Sequence, residues 1–211
     1  DLVVVLSLHL ALNVTRPKNN KGTSSMPDSN ITHIALLRGI NVGGHRVKMD
    51  RLRELFRELG FEDVRSFIQT GNVFFHFSET DLQTLQKRVA EHLENALVFK
   101  VPVCLRTLSQ LERIVALNPF KHRTLTPDTR FSVTFLDREI ESNLAVPSFT
   151  RDGGFELIHM TRSELFVIWH LKQVRPANSQ GFDRDVEAHA TTRFWHTTEK
   201  ILAAAKATPT Q

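Results

Sequence analysis

Two short stretches gather residue types that could hold an anion. The first is Leu36-Leu37-Arg38-Gly39-Ile40-Asn41-Val42-Gly43-Gly44-His45-Arg46-Val47-Lys48. Glycines let backbone N–H groups point inward, and a helix entered at Lys48 adds the positive end of its dipole. Arg38 can fork onto a phosphate or carboxylate, and Lys48 supplies a point charge. The second stretch, Gln69-Thr70-Gly71-Asn72, offers amides and a hydroxyl. A plainer reading stands beside this one. Gly39, Gly43 and Gly44 could supply positive φ for a long turn, while Asn41 and Asn72 hydrogen-bond the backbone and tie two loops together. The spacing matches neither G-x-G-x-x-G nor G-x-x-x-x-G-K-[ST], so no nucleotide cofactor is expected from motif alone.

Other chemistry finds little support. The chain has 10 histidines, but no H-E-x-x-H and no paired Cys/His spacing, and no metal is expected. Asp50 and Glu54 are interleaved with Arg51, Arg53 and Arg57, the pattern of a solvated helix face. There is no G-x-S-x-G nucleophile elbow, and no catalytic constellation emerges. Phe67, Phe74, Phe75 and Phe77 could stack bases, but no Lys or Arg is interleaved with them, so they read as core. Arg193 beside Trp195 could make a cation–π pair or an anion contact from the second half of the chain, and Trp195 reads first as a packing residue.

The elements that must position these residues follow from periodicity. His33 to Arg38 reads as a strand. Met49, Leu52, Leu55, Phe56 and Leu59 then follow helical spacing up to Gly60. Val64 to Gln69 and Val73 to Phe77 form a hairpin about Thr70-Gly71-Asn72. Thr80 and Gln83 fit a capping box that opens a helix through Ala96. Val101 to Arg106 is a strand, placed at a sheet edge by Pro102. Thr107 and Gln110 form a second capping box, and that helix ends at Asn118-Pro119. The same order then recurs. Phe131 to Leu136 is a strand and Asp137 to Val146 a short helix. Phe155 to His159 and Glu164 to Trp169 form a hairpin. A weak helical slot follows, broken by Pro176 and Gly181. Ala190 to Phe194 is a strand and Thr197 to Lys206 a helix. No residue-level repeat accompanies this duplication.

The fold class is therefore α+β: two ferredoxin-like (βαββαβ) subdomains with antiparallel sheets and helices packed on one face. The expected organisation is a flexible leader at 1–30, for which Met26 offers a native start, a first subdomain at 31–120, a linker at 121–129 and a second subdomain at 130–211. Right-handed crossovers make the first two strands of a half parallel. Loop 39–48 and hairpin 69–72 should then meet at one end of the sheet, with Asn72 near Arg38.

Composition sets the outer bounds. The chain has 211 residues and a formal charge of +4. Residues 31–123 hold 14 Lys and Arg against 10 Asp and Glu, while residues 124–211 hold 10 against 11. Basicity this mild permits an anionic partner without demanding nucleic acid. Cys104 is the single cysteine, which suits a reducing, cytoplasmic setting. Leu2 to Leu12 is too short to span a bilayer, which takes ~20 residues, so no membrane partner is expected.

The stretch HIALLRGINVGGHRVKMDRLRELFRELGFEDVRSFIQTGNVFF resembles the opening of the bacterial domain-of-unknown-function 1697 family. That family pairs an ALLRGINVGG-type strand and loop with a Lys-Met helix start and an I-Q-S/T-G-N-V hairpin. Residues 190–197, Ala-Thr-Thr-Arg-Phe-Trp-His-Thr, are similar to its T-T/I-R-N-W/A-N-T segment, with Phe194 and His196 where Asn is common. The resemblance implies two ferredoxin-like subdomains and no assigned activity. The reading that follows is a binding module for a small anionic or nucleotide-like ligand, held by Arg38, Gly39, Asn41, Gly43, Gly44, Lys48, Gln69, Asn72 and Arg193. Its alternatives are a nucleic-acid binder using the basic first half, and an enzyme acting on an anionic substrate without metal or covalent nucleophile.

Overall fold

The computed structural model describes residues 31–42, 44–140, 146–150, 153–174 and 189–207. The expected leader, Gly43 and most of the helical slot after Trp169 lie outside them. The first half runs β1 (Ile31–Leu37), α1 (Met49–Glu58), β2 (Glu62–Phe67), β3 (Asn72–Phe77), α2 (Leu82–Leu97), β4 (Val103–Thr107) and α3 (Leu108–Leu117). The second runs β5 (Thr129–Leu136), β6 (Ser148–Phe149), β7 (Phe155–Met160), β8 (Glu164–His170), β9 (Ala190–Phe194) and α4 (Trp195–Lys206). The fold is α+β with two antiparallel sheets, ordered β2-β3-β1-β4 and β6-β7-β8-β5-β9.

Strand β1 explains the layering. Its side chains alternate between faces, and both faces are apolar. Ala35 and Leu37 join Leu52, Leu55 and Phe56 of α1 and Leu85, Val89 and Leu93 of α2 in one core. Ile34 and Leu36 face the other way, into a second core shared by the halves. There Phe74 and Cys104 meet Val133 and Phe135 of β5, Phe166 of β8, Leu111 and Ile114 of α3, and Trp195 and Ile201 of α4. Helices α1 and α2 thus lie on one side of the first sheet, as expected, but α3 packs on the other. Trp195 serves packing, and Cys104 is a buried thiol whose pKa burial pushes up to about 12.

The local signals are largely realised, with three shifts. Thr107 and Gln110 form the expected capping box on α3. On α2 the cap is Asp81, not Thr80; its carboxylate accepts from the N–H groups of Gln83 and Thr84. A carboxylate is the better acceptor at a helix start, and this one sits where the chain is still extended. The helix expected from Asp137 does not form over residues 137–140, and 141–145 lie outside the described residues. Long-range bonds hold this stretch: Asp137 N donates to His189 O at 2.9 Å, and Ile140 N to Arg162 O at 2.8 Å. Strand β6 was not expected; it is a two-residue edge on β7.

The four strands of the first sheet match β7, β8, β5 and β9 of the second, and β6 has no counterpart. In the first sheet Ile34 stands opposite Phe74 and Arg106; in the second Val133 stands opposite Phe166 and Arg193. Counting outward from these rungs, Leu37 corresponds to Leu136, Asn72 to Glu164, Gly71 to Ser163 and Arg38 to Asp137. The backbone bonds correspond too. Leu37 N donates to Gly71 O at 2.7 Å, and Leu136 N to Ser163 O at 2.9 Å. Arg38 N donates to Pro102 O at 3.0 Å, and Asp137 N to His189 O at 2.9 Å.

His33 is a buried polar group on β1. Its ring nitrogens lie 2.9 Å from Ile31 O and 3.1 Å from Glu79 O. Burial lowers its pKa below the ordinary value of 6.5, opposed by those two carbonyls. Folding therefore favours the neutral ring. Its contribution to stability is full above the unfolded pKa and declines as pH falls through the lower folded value. Urea midpoints should drop between pH 7 and pH 5, and His33→Phe should flatten that decline. Identical pH slopes in both proteins would show that His33 plays no part.

Candidate functional site

The end of the first sheet brings the two expected stretches together. Asn72 stands opposite Leu36 in the β1–β3 register. Asn41 fastens loop 38–48 from inside: its Nδ2 donates to Val47 O at 3.1 Å and to Gln69 O at 2.8 Å, and its Oδ1 accepts from Val47 N at 2.8 Å. Asn41 adopts φ 58, with Gly39 at φ 79 and Gly44 at φ 94. The positive φ that the glycines were expected to supply is therefore present at two of them and at an asparagine, the side chain that best tolerates it.

Hairpin 67–72 is pressed against this loop. Gly71 has φ 75, and a Cβ there would stand 2.9 Å from Leu37 Cβ and 3.1 Å from Ile40 Cβ. Only glycine lets the strands approach so closely. Asn72 is fully buried, and its Nδ2 donates to Phe67 O at 3.1 Å and Thr70 Oγ1 at 3.3 Å. Beside it, Ile68 adopts φ 50 with 47% of its surface exposed. A β-branched residue in the left-handed region is strained.

Arg193 reaches this junction from β9 of the other half. Its Nε donates to Asn72 Oδ1 at 2.8 Å and its Nη2 to Leu37 O at 2.8 Å and Thr70 O at 3.2 Å. Its Nη1 donates to Thr191 Oγ1 at 2.9 Å and Thr192 O at 3.0 Å. Part of its surface still reaches solvent, yet the protein packed around the guanidinium is dense enough to pull its pKa down to about 10. Every acceptor is neutral, and no carboxylate pairs with Arg193 among the described residues.

Its counterpart, Arg106 on β4, makes the reciprocal reach. Arg106 Nε donates to Glu164 Oε1 at 2.7 Å, and Nη2 donates to Leu136 O at 3.0 Å and Ser163 O at 2.9 Å. Thr161 Oγ1 donates to the other Glu164 oxygen. Each half thus drives one arginine into the corresponding end of the other. One clamp is charge-balanced by Glu164. The other meets neutral acceptors alone, with the amide of Asn72 where Glu164 stands.

The remaining expected residues lie on the rim. Arg38 is exposed and donates to Ala190 O at 3.3 Å. Arg46, Lys48 and Gln69 are exposed, and Arg46 and Lys48 form no ion pair among the described residues. His45 stacks on Phe99 with ring centroids 4.0 Å apart. Lys48 is the residue before α1, whose first turn has no side-chain cap. Asn41, Asn72 and Arg193 therefore have their polar groups engaged within the protein, as the plainer reading requires. Lys48 and Gln69 present theirs at the surface, while exposed Arg38 also donates to Ala190 O.

The family model described as "Protein of unknown function (DUF1697)" matches residues 31–166. This chain belongs to the DUF1697 family. Among solved structures, the chain is similar to the conserved bacterial protein SP0830 from Streptococcus pneumoniae. The two share 22% identity at a TM-score of 0.62, covering 84% of this chain and 100% of that one. At that identity the likeness concerns the fold. No curated protein matches the chain.

What sequence reasoning missed is the second clamp and the space beside it. Arg106, Glu164, α2, α3 and the turn after β7 line a cleft of about 690 Å³ at the junction of the halves. An arginine in the apolar strand Val103-Cys104-Leu105-Arg106 and a glutamate opening Glu164-Leu165-Phe166-Val167 were the available signals, since buried charges need partners.

Truncating one partner of a buried pair leaves the other uncompensated. Arg106→Ala should therefore cost about 3–5 kcal/mol in urea unfolding, and the double variant Arg106→Met/Glu164→Leu should cost distinctly less. Equal losses would mean that the pair is not coupled. Arg193→Ala leaves Leu37 O and Thr70 O without a donor and should cost at least about 2 kcal/mol. A change under about 0.5 kcal/mol, the range of ordinary surface positions, would contradict its role as a clamp.

Proposed function

We propose that this chain is a binding module for a small anionic ligand, phosphate-bearing or nucleotide-like, taken up where loop 38–48 meets hairpin 67–72. We also read each half as ferredoxin-like, since both sheets carry their strands in equivalent order and α1 and α2 flank the first. The observation that carries the ligand reading is the charge left over at this end. Arg193 lies beneath the loop with neutral acceptors only, while its counterpart Arg106 is answered by Glu164. Above it, residues 38–49 contain Arg38, Arg46 and Lys48 and no acid. A cation held in partly dry surroundings is electrostatically stronger than one in water. An anion docked on the rim would gain from Arg193, Arg46 and Lys48.

The roles divide accordingly. Asn41, Asn72, Gly71 and Arg193 hold the two segments in place. Arg46, Lys48, Arg38 and Gln69 are the side chains that meet the ligand, with backbone access at Gly39 and Gly44. The expected contribution of Gly43 lies outside the described residues. Nucleic acid would use the same cations, and such binding would weaken steeply with salt.

Pyrophosphate and nucleoside triphosphates should raise the melting temperature, because a ligand bound only by the folded state stabilises it by mass action. Arg46→Ala/Lys48→Ala should remove that rise while leaving the ligand-free melting temperature within a degree or two, as expected of exposed positions. A rise of equal size in the double variant would place the anion elsewhere.

A further inference from the structure

The cleft at the opposite junction of the halves is the counterpart of the loop end, yet its chemistry differs. It is open for about 690 Å³, within the roughly 300–1,000 Å³ typical of small-ligand sites. Its walls come from both halves. Leu82, Leu105, Ile114 and Leu136 give it an apolar interior. Gln86 braces it, its Nε2 donating to Asp137 O at 2.8 Å and its Oε1 accepting from Leu105 N at 3.0 Å. The walls are thus cross-bonded between the halves, a pre-formed arrangement.

The charges lining it are unequally committed. Glu164 is held by Arg106, Asp137 lies 3.0 Å from His189 Nδ1, and Glu139 pairs with Arg162 at 3.5 Å. All three carboxylates therefore have partners. Arg113 is exposed on the rim and forms no ion pair among the described residues. Gln110, one turn earlier on the same face of α3, has its carbonyl oxygen fixed by Thr107 N at 2.8 Å. What Gln110 presents is its amide NH2. A guanidinium and an amide donor side by side above an apolar floor form a receptor for an oxyanion with a hydrophobic body.

We infer that this cleft binds an amphipathic organic anion, with its apolar body between α2, α3 and β5 and its acidic head on Arg113 and Gln110. The inference is independent of the loop-end reading, which concerns a different set of residues. A fluorescent member of the class, 8-anilinonaphthalene-1-sulfonate, serves as probe. The full chain should bind it at one saturable site with enhanced emission. Arg113→Ala should weaken binding about ten-fold or more, the value of one charge-assisted contact. Ala116→Trp, at an exposed position lining the cleft, should abolish the enhancement while near-ultraviolet circular dichroism keeps its folded signature. Arg46→Ala/Lys48→Ala should leave it unchanged. No saturable enhancement in the parent protein, or enhancement that survives Ala116→Trp, or a loss on Arg46→Ala/Lys48→Ala, would overturn the proposal.

Discussion

The reciprocal reach of Arg106 and Arg193 is the constraint on which the rest of the structure depends. Each side chain leaves the penultimate position of an edge strand and ends on carbonyls of the opposite half. Those carbonyls belong to the turn regions where β1 and β5 end and where the hairpins to β3 and β8 close. Five N–H donors in a fixed fork can satisfy several acceptors at once, which a lysine cannot do. The shared apolar core supplies the attraction between the halves, and the arginines set its alignment. A third arginine adds to this: Arg65 on β2 donates to Ala204 O and Ala207 O, meeting the negative end of α4.

The duplication makes one asymmetry informative. Backbone bonds are kept between the halves while side chains change. Asn72 stands where the second half has Glu164, and Arg38 where it has Asp137. The exchange of Glu for Asn removes a negative charge at the loop end. The exchange of Asp for Arg adds a positive one. The same scaffold thus presents one end where a carboxylate answers the arginine, beside a cleft, and one end with an exposed loop and no such carboxylate.

Much of the first half was legible in the residues. Alternation and spacing gave β1, α1 and the β2–β3 hairpin, and crossover handedness brought Asn72 alongside β1. The Thr107 capping box was equally plain, because its signal is local. Signals that failed were those decided at a distance. Asp137 to Ile140 could be helical by composition, but the stretch is not helical, and Asp137 N and Ile140 N bond to His189 O and Arg162 O. The Arg106–Glu164 pair joins residues 58 apart, and no periodicity announces it. The correspondence between halves was visible as an order of elements, but not in letters, because what is kept is a set of backbone hydrogen bonds. Arg193 was picked out for its charge; that its donors are engaged by Leu37, Thr70 and Asn72 required the second sheet to be in place.

The proposed anion site at the loop end rests on Arg193, whose acceptors are all neutral, and on the exposed Arg46 and Lys48 of the loop. The most direct measurement is an amide chemical-shift titration of the isotopically labelled chain with pyrophosphate at fixed ionic strength. Saturable shifts concentrated at residues 38–49 and 69–72, with little change around Glu164, are the predicted result. Shifts that never saturate, or that gather elsewhere while the loop amides stay still, would contradict it.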